Sequence, residues 1–132
     1  MDDCNKMPGL RILLVEDSAE SAANMALLLT RYGHQVEIAG DGRTALRLAQ
    51  ANQPDVALLD IGLPDIDGCE VARQIKSWTT EKQPLLVALT GFSEETDRRR
   101  SKEAGIDLHL VKPVDPAKLE NLLSRFQQVM VR

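Results

Sequence analysis

The sequence contains only two cysteines, Cys4 and Cys69. Neither has metal-ligand spacing or a disulfide framework around it, which excludes a stapled secreted scaffold and a thiolate metal site. Cys69 is expected to pack as a small apolar residue. No apolar run approaches the ~20 residues of a membrane span, and no secretory signal opens the chain, so a cytoplasmic protein is expected. Basic charge is also scarce. Sixteen Lys and Arg stand against 20 Asp and Glu, for a formal charge of -4. Phosphate-backbone binding needs a clustered basic surface, so direct contact with nucleic acid is not expected. The run Arg98-Arg99-Arg100 follows Glu94, Glu95 and Asp97 and reads as a solvated helix face. Neither a Walker loop nor G-x-G-x-x-G follows the first apolar run, which argues against a nucleotide-binding domain. Internal repeats, low-complexity stretches and domain linkers are absent as well.

What is present is an ordinary globular composition, 43% hydrophobic and 27% charged over 132 residues, enough for one domain with a proper core. Residues 1–8 lack periodicity and are expected to form a disordered leader, leaving 9–132 as the domain. Leu10 to Val15 is a strand-length apolar run. Ser18 to Tyr32 reads as a helix with Met25, Leu28, Leu29 and Tyr32 inward, and Gly33 ends it. Gln35 to Ala39 alternates as a strand. Asp41-Gly42 turns the chain into a helix over 43–51, with Ala45, Leu48 and Ala49 inward. Asp55 to Leu59 is a third strand. Cys69 to Ser77 carries Val71, Ala72 and Ile75 at helical spacing, and Pro84 to Leu89 is a fourth strand. Ser93 is a good N-cap for a helix that stops at Gly105. Asp107 to Val111 is a fifth strand. Asp115-Pro116 opens a last helix with Leu119, Leu122, Leu123 and Phe126 as its stripe. Five apolar strands alternating with five helices mean an α/β fold with a parallel sheet covered on both faces.

Four of the strands end in notable polar residues: Glu16-Asp17, Asp60, Thr90 and Lys112. In a parallel sheet these ends share one edge, where open α/β sheets place their chemistry. Asp17 or Asp60 alone could equally be a helix cap, Thr90 an ordinary β-branched residue and Lys112 a snorkelling one. All five falling together by chance is much less plausible.

Glu16-Asp17, Asp60 with the following Leu63-Pro64-x-x-Asp67-Gly68, Leu89-Thr90-Gly91 and Lys112-Pro113 resemble the receiver domains of two-component response regulators. The likeness runs from about Leu10 to Phe126, and the stretch from Leu89 to Asp115 looks most like receivers of hybrid sensor kinases. The resemblance implies a flavodoxin-like sheet of order 2-1-3-4-5. It also implies that Asp60 accepts a phosphoryl group from a phosphohistidine on a histidine kinase or histidine phosphotransfer protein. Such a chain catalyses its own modification and is not a conventional enzyme. Three carboxylates around an incoming dianion need a cation, because each like-charge pair near 4 Å costs about 4 kcal/mol at an effective dielectric of 20. Mg²⁺ is the expected ion. By resemblance Asp17 and Asp60 ligate it directly, Glu16 through water, and Gly62 through its carbonyl. Lys112 neutralises phosphoryl charge, and Thr90 donates its hydroxyl to the modified Asp60. Pro113 follows a cis peptide in relatives.

The sequence departs from the family at His109, which stands where relatives carry the Tyr or Phe that swings inward with Thr90. A rotating histidine and a half-exposed strand histidine without a switching role are equally compatible with it. Gly62 and Phe92 occupy the positions that tune phosphoryl lifetime, and neither supplies a group to orient an attacking water. A persistent phosphoryl group is therefore expected. Ala19, Ala22, Ala23, Ala26 and Leu27 lie outside the core stripe of the first helix and form the expected docking face for the phosphodonor protein. The segment from Leu119 to Arg132 lacks the basic pattern of DNA-binding regulators, and an excised and a stand-alone receiver both fit. A haloacid-dehalogenase-type hydrolase would need an acid where Gly62 stands. The remaining rival is a degenerate receiver serving as a phosphorylation-independent interaction module.

Overall fold

The runs rich in Leu, Val and Ile form five parallel strands: β1 (Arg11–Val15), β2 (Gln35–Ala39), β3 (Val56–Asp60), β4 (Leu85–Thr90) and β5 (Leu108–Val111). The structure is a computed structural model that describes residues 9–63, 65–78, 83–91, 99 and 102–131. The strand order is β2-β1-β3-β4-β5, the order that the family resemblance implies. Burial follows that order. The inner strands β1, β3 and β4 are buried along nearly their whole length. The edge strands β2 and β5 expose Glu37, Ile38, Leu108 and Val111. A sheet covered on both faces needs apolar residues at every inner position, whereas an edge strand tolerates alternation.

The described helices are α1 (Ala19–Arg31), α2 (Gly42–Asn52), α3 (Gly68–Trp78) and α4 (Pro116–Val131). Their starts are written locally. Ser18 Oγ accepts the Ser21 N–H, Asp41 Oδ1 the Thr44 N–H and Asp115 Oδ1 the Ala117 N–H. Asp67 Oδ1 does the same for Cys69 at the start of α3. α1 ends with the Tyr32 N–H on the Leu28 and Leu29 carbonyls, followed by Gly33 at φ +94°. α2 ends on Gln53 at φ +46°, a left-handed non-glycine that no sequence signal marked. The helix expected from Ser93 lies largely outside the described residues, as do Phe92 and the expected leader 1–8. Arg99, Lys102 and Glu103 are helical, and Gly105 follows at φ +92°.

Side-chain alternation along the strands divides the core in two. Leu13, Val15, Ala57, Leu59, Leu86 and Ala88 meet Ala45, Ala49, Val71, Ala72 and Ile75 of α2 and α3, with Cys69 packed among them. Ile12, Leu14, Val56, Leu58, Val87 and Leu89 meet Ala22 and Leu29 of α1 and Leu119 and Leu123 of α4. Full burial of each Leu or Ile is worth roughly 1.5–3 kcal/mol, so both layers contribute heavily to stability.

One expectation about α1 is corrected here. Ala22 is 2% exposed and sits in the core beside Leu29, and Ala26 is half-buried against the same cluster. Ala22 precedes Leu29 by seven residues, two helical turns, so the inward stripe is Ala22, Met25, Leu28 and Leu29. A small side chain there lets the helix approach the sheet. Ala19, Ala23 and Leu27 do face outward. Among the described residues no helix is long and apolar enough to cross a membrane.

Candidate functional site

Parallel pairing puts the strand ends on one edge. Asp60 registers with Leu89, and Thr90 with Val111. The chain leaves β1 through Glu16 and Asp17 and leaves β5 through Lys112. Ligand oxygens of Glu16, Asp17 and Asp60 all lie within 4.8 Å of one another. The Lys112 ammonium bridges two of these acids, donating to Glu16 Oε1 at 2.9 Å and to Asp60 Oδ2 at 3.2 Å. Residues separated by 96 and 52 positions are thus joined at one nitrogen.

Each oxygen has a distinct surrounding. The other Glu16 oxygen accepts the Ser18 N–H at 3.2 Å, which holds this buried carboxylate against the start of α1. Asp60 Oδ1 accepts the Gly62 N–H at 3.0 Å. Asp17 is exposed, with its carboxylate oxygen turned into the acid group. Burial alone would lower the pKa of Lys112. Hydrogen bonds to Glu16 and Asp60, and the charges of both, outweigh it and raise the pKa above the ordinary lysine value. The lysine therefore stays a cation. Three carboxylates with one ammonium leave excess negative charge lined by hard oxygen donors, a donor set that fits Mg²⁺.

Thr90 is buried at the end of β4, and its carbonyl accepts the Lys112 N–H at 2.7 Å. The Lys112–Pro113 peptide is cis. His109 is half-buried on β5 and lines a surface cavity with Lys76, Lys102 and Asp107. Beside Lys112 a second cavity of about 540 Å³ runs between α1 and Val114, lined by Met25, Leu28, Leu89 and Pro113.

The loop carrying Gly62 has features that local sequence reading missed. A Cβ on Gly68 would lie 2.6 Å from the Asp60 carbonyl oxygen, so only glycine lets the loop close on the strand it left. Asp65 reaches out of the loop, accepting the Gly42 N–H at 2.7 Å and the Arg43 N–H at 3.1 Å. Backbone hydrogen bonds, that from Gly42 foremost, hold its carboxyl below the usual aspartate range. A long-range cap of this kind leaves no spacing signature. The nearest signal is an acid in a turn-rich loop.

Comparison with known proteins agrees with this geometry. A family model described as response regulator receiver domain matches residues 12–124. The chain is 38% identical over 123 residues to response regulator MprA of Mycolicibacterium vanbaalenii, covering 93% of this chain and 51% of that protein. It is 36% identical over 132 residues to transcriptional regulatory protein TcrA of Mycobacterium tuberculosis, covering 98% and 49%. The chain thus spans about half the length of these curated relatives. Among solved structures, the receiver domain of a sensor histidine kinase from Pseudomonas aeruginosa superposes with a TM-score of 0.83 at 32% identity, covering 91% of this chain and 98% of that one. That structure has a magnesium ion coordinated in its active site cleft. Likeness thus extends to receivers of transcriptional regulators and of sensor kinases alike.

Proposed function

Because the chain belongs to the response regulator receiver family, we propose that Asp60 is its phosphoryl acceptor in a two-component phosphorelay. The observation that carries this reading is Lys112 held between Glu16 and Asp60, beside three clustered carboxylates. In the reaction an Asp60 carboxylate oxygen attacks phosphorus of a phosphohistidine. The P–N bond breaks with its electron pair going to the imidazole, and an aspartyl phosphate forms. Asp17 and Asp60 would hold Mg²⁺ directly, Glu16 through water and Gly62 through its carbonyl. The ion supplies neutralising charge as phosphate approaches the acids. Lys112 moves its hydrogen bond from Asp60 to a phosphoryl oxygen, and the Thr90 hydroxyl donates to another. Hydrogen bonds to charged groups are worth roughly 1.5–3 kcal/mol each. Two of them approach the ~5.5 kcal/mol that takes a two-state equilibrium from 1:99 to 99:1. The readout is a conformational switch or onward transfer, with His109 on β5 as the switch partner of Thr90.

The phosphodonor is a histidine kinase or histidine phosphotransfer protein of the cytoplasm. Its docking face comprises the outward Ala19, Ala23 and Leu27 of α1. With Gly62 and Phe92 at the lifetime-tuning positions, the acyl phosphate should outlast seconds after phosphodonor removal, as followed by intact mass. Incubation with Mg²⁺ and acetyl phosphate tests the whole reading. One phosphoryl group should add to the wild type and none to Asp60→Ala. An unmodified wild type would make the chain an interaction module instead.

A further inference from the structure

We propose that Asp65 is a positioning residue for the metal site, clamping the loop between Asp60 and Gly68 to the start of α2. The inference rests on the phosphoacceptor reading but concerns a residue outside the acid cluster. Asp65 binds across 23 and 22 residues, taking the N–H groups of Gly42 and Arg43. The next two N–H groups of α2 go elsewhere, Thr44 to the Asp41 side chain and Ala45 to the Asp41 carbonyl. The orphan donors of this helix start are thus divided between its own cap and a residue borrowed from the loop, and the helix dipole favours both carboxylates.

The carboxylate is reinforced by packing. A Cβ on Gly42 would meet Ile66 Cβ at 2.8 Å and Val71 Cγ2 at 3.1 Å, so the residue after Asp65 lies flat on α2. At its base the loop is closed by the Gly68 N–H on the Ile61 carbonyl at 3.2 Å. The loop is therefore pinned at base and apex. Gly62 lies between these pins. It is exposed, and among the described residues the nearest atom to a Cβ built there is Asp60 Oδ1 at 4.0 Å. Among the described residues no neighbouring side chain packs on Gly62, so the pins would orient both its N–H on Asp60 and the carbonyl proposed for the metal. Without the apex pin, part of the Mg²⁺ binding free energy would go into ordering the loop.

The test is Mg²⁺ titration without phosphodonor, followed by the backbone amide signals of the loop, on wild type, Asp65→Ala, Asp65→Asn and Asp41→Ala. Asp41→Ala removes a cap from the same helix and leaves the loop untouched. Asp65→Ala should weaken Mg²⁺ binding about tenfold, as removal of outer-shell partners does. Asp65→Asn, keeping one acceptor oxygen, should recover part of it. Asp41→Ala should lose comparable thermal stability and bind Mg²⁺ as the wild type does. If Asp65→Ala does not fold, Asp65→Asn against Asp41→Ala decides in the same way. Unchanged Mg²⁺ affinity in the Asp65 variants, or equal weakening in Asp41→Ala, overturns the clamp and leaves the phosphoacceptor reading standing. A wild type that binds no Mg²⁺ overturns both.

Discussion

Replacing Lys112 with methionine keeps the stem and removes the charge, and its consequence should depend on Mg²⁺. The ammonium makes two charge-assisted hydrogen bonds, at 2.9 and 3.2 Å, to side chains only 5% and 13% exposed. Two such bonds are nominally worth roughly 3–6 kcal/mol. Lys112 is itself 36% exposed, and solvent screening reduces that by about half. Released side-chain entropy returns up to about 2 kcal/mol. Against that, Glu16 is left as a buried carboxylate without its cation, a penalty that reaches roughly 3–5 kcal/mol for fully buried pairs. With Lys112 partly exposed about half of that penalty applies, and a net loss of about 2 kcal/mol follows, or roughly 8 °C in melting temperature for a domain of this size. Mg²⁺ should narrow that gap. At 100 times its dissociation constant the ion stabilises any protein that binds it by about 2.7 kcal/mol. In Lys112→Met it no longer shares the oxygens of Glu16 and Asp60 with an ammonium, so the variant should gain more than the wild type. Urea unfolding of both proteins, with EDTA and with saturating Mg²⁺, measures the four free energies. A variant as stable as wild type in EDTA, or a gap that Mg²⁺ leaves unchanged or widens, would refute the reasoning.

Four further outcomes follow from other contacts. His34 is buried, its Nδ1 accepts the Leu10 N–H at 3.0 Å, and burial lowers its pKa below the usual value. The unfolded chain therefore binds the proton more readily, so this contribution to stability is whole above pH ~6.5 and is lost as pH falls below it. Chemical denaturation between pH 7.5 and 5 should show that slope in wild type and a flatter one in His34→Gln. Gly68→Ala drives a methyl into the Asp60 carbonyl and should cost about 1–3 kcal/mol, with slower acetyl phosphate-dependent modification, measured by unfolding and intact mass. On α1, Ala23→Glu should change stability by no more than about 0.5 kcal/mol and slow transfer from a cognate phosphodonor. Ala22→Glu buries a charge without a partner and should unfold the domain, as circular dichroism would show.

The sheet was legible because every inner strand is a nearly unbroken apolar run and every helix start among the described residues has a side-chain cap within three residues. Both signals are local. The acid–lysine rim was legible for a related reason: once strands are parallel, being last in a strand fixes the edge on which a residue stands. Ala22 was misplaced because alanine is equally at home inside and outside, and only the fit of α1 to the sheet decides. The left-handed Gln53, the His34 bond to Leu10 and the Asp65 clamp carried no signal, since each depends on a tertiary partner or on chain closure. Gly62 was expected to contribute its carbonyl, and the geometry adds its N–H as a restraint on Asp60.

The bridge made by Lys112 also bears on protein synthesis. Glu16 is made 96 residues before Lys112, and their bond needs β5 docked on β4 at the far edge of the sheet from β2. Such non-local closure comes late in folding. A nascent chain that has not yet reached Lys112 carries all three acids without the cation that pairs with them. It would repel a phosphate rather than receive one. Competence to take up a signal is thereby tied to synthesis of β5 and Lys112, and a product truncated before them would be silent, not falsely active.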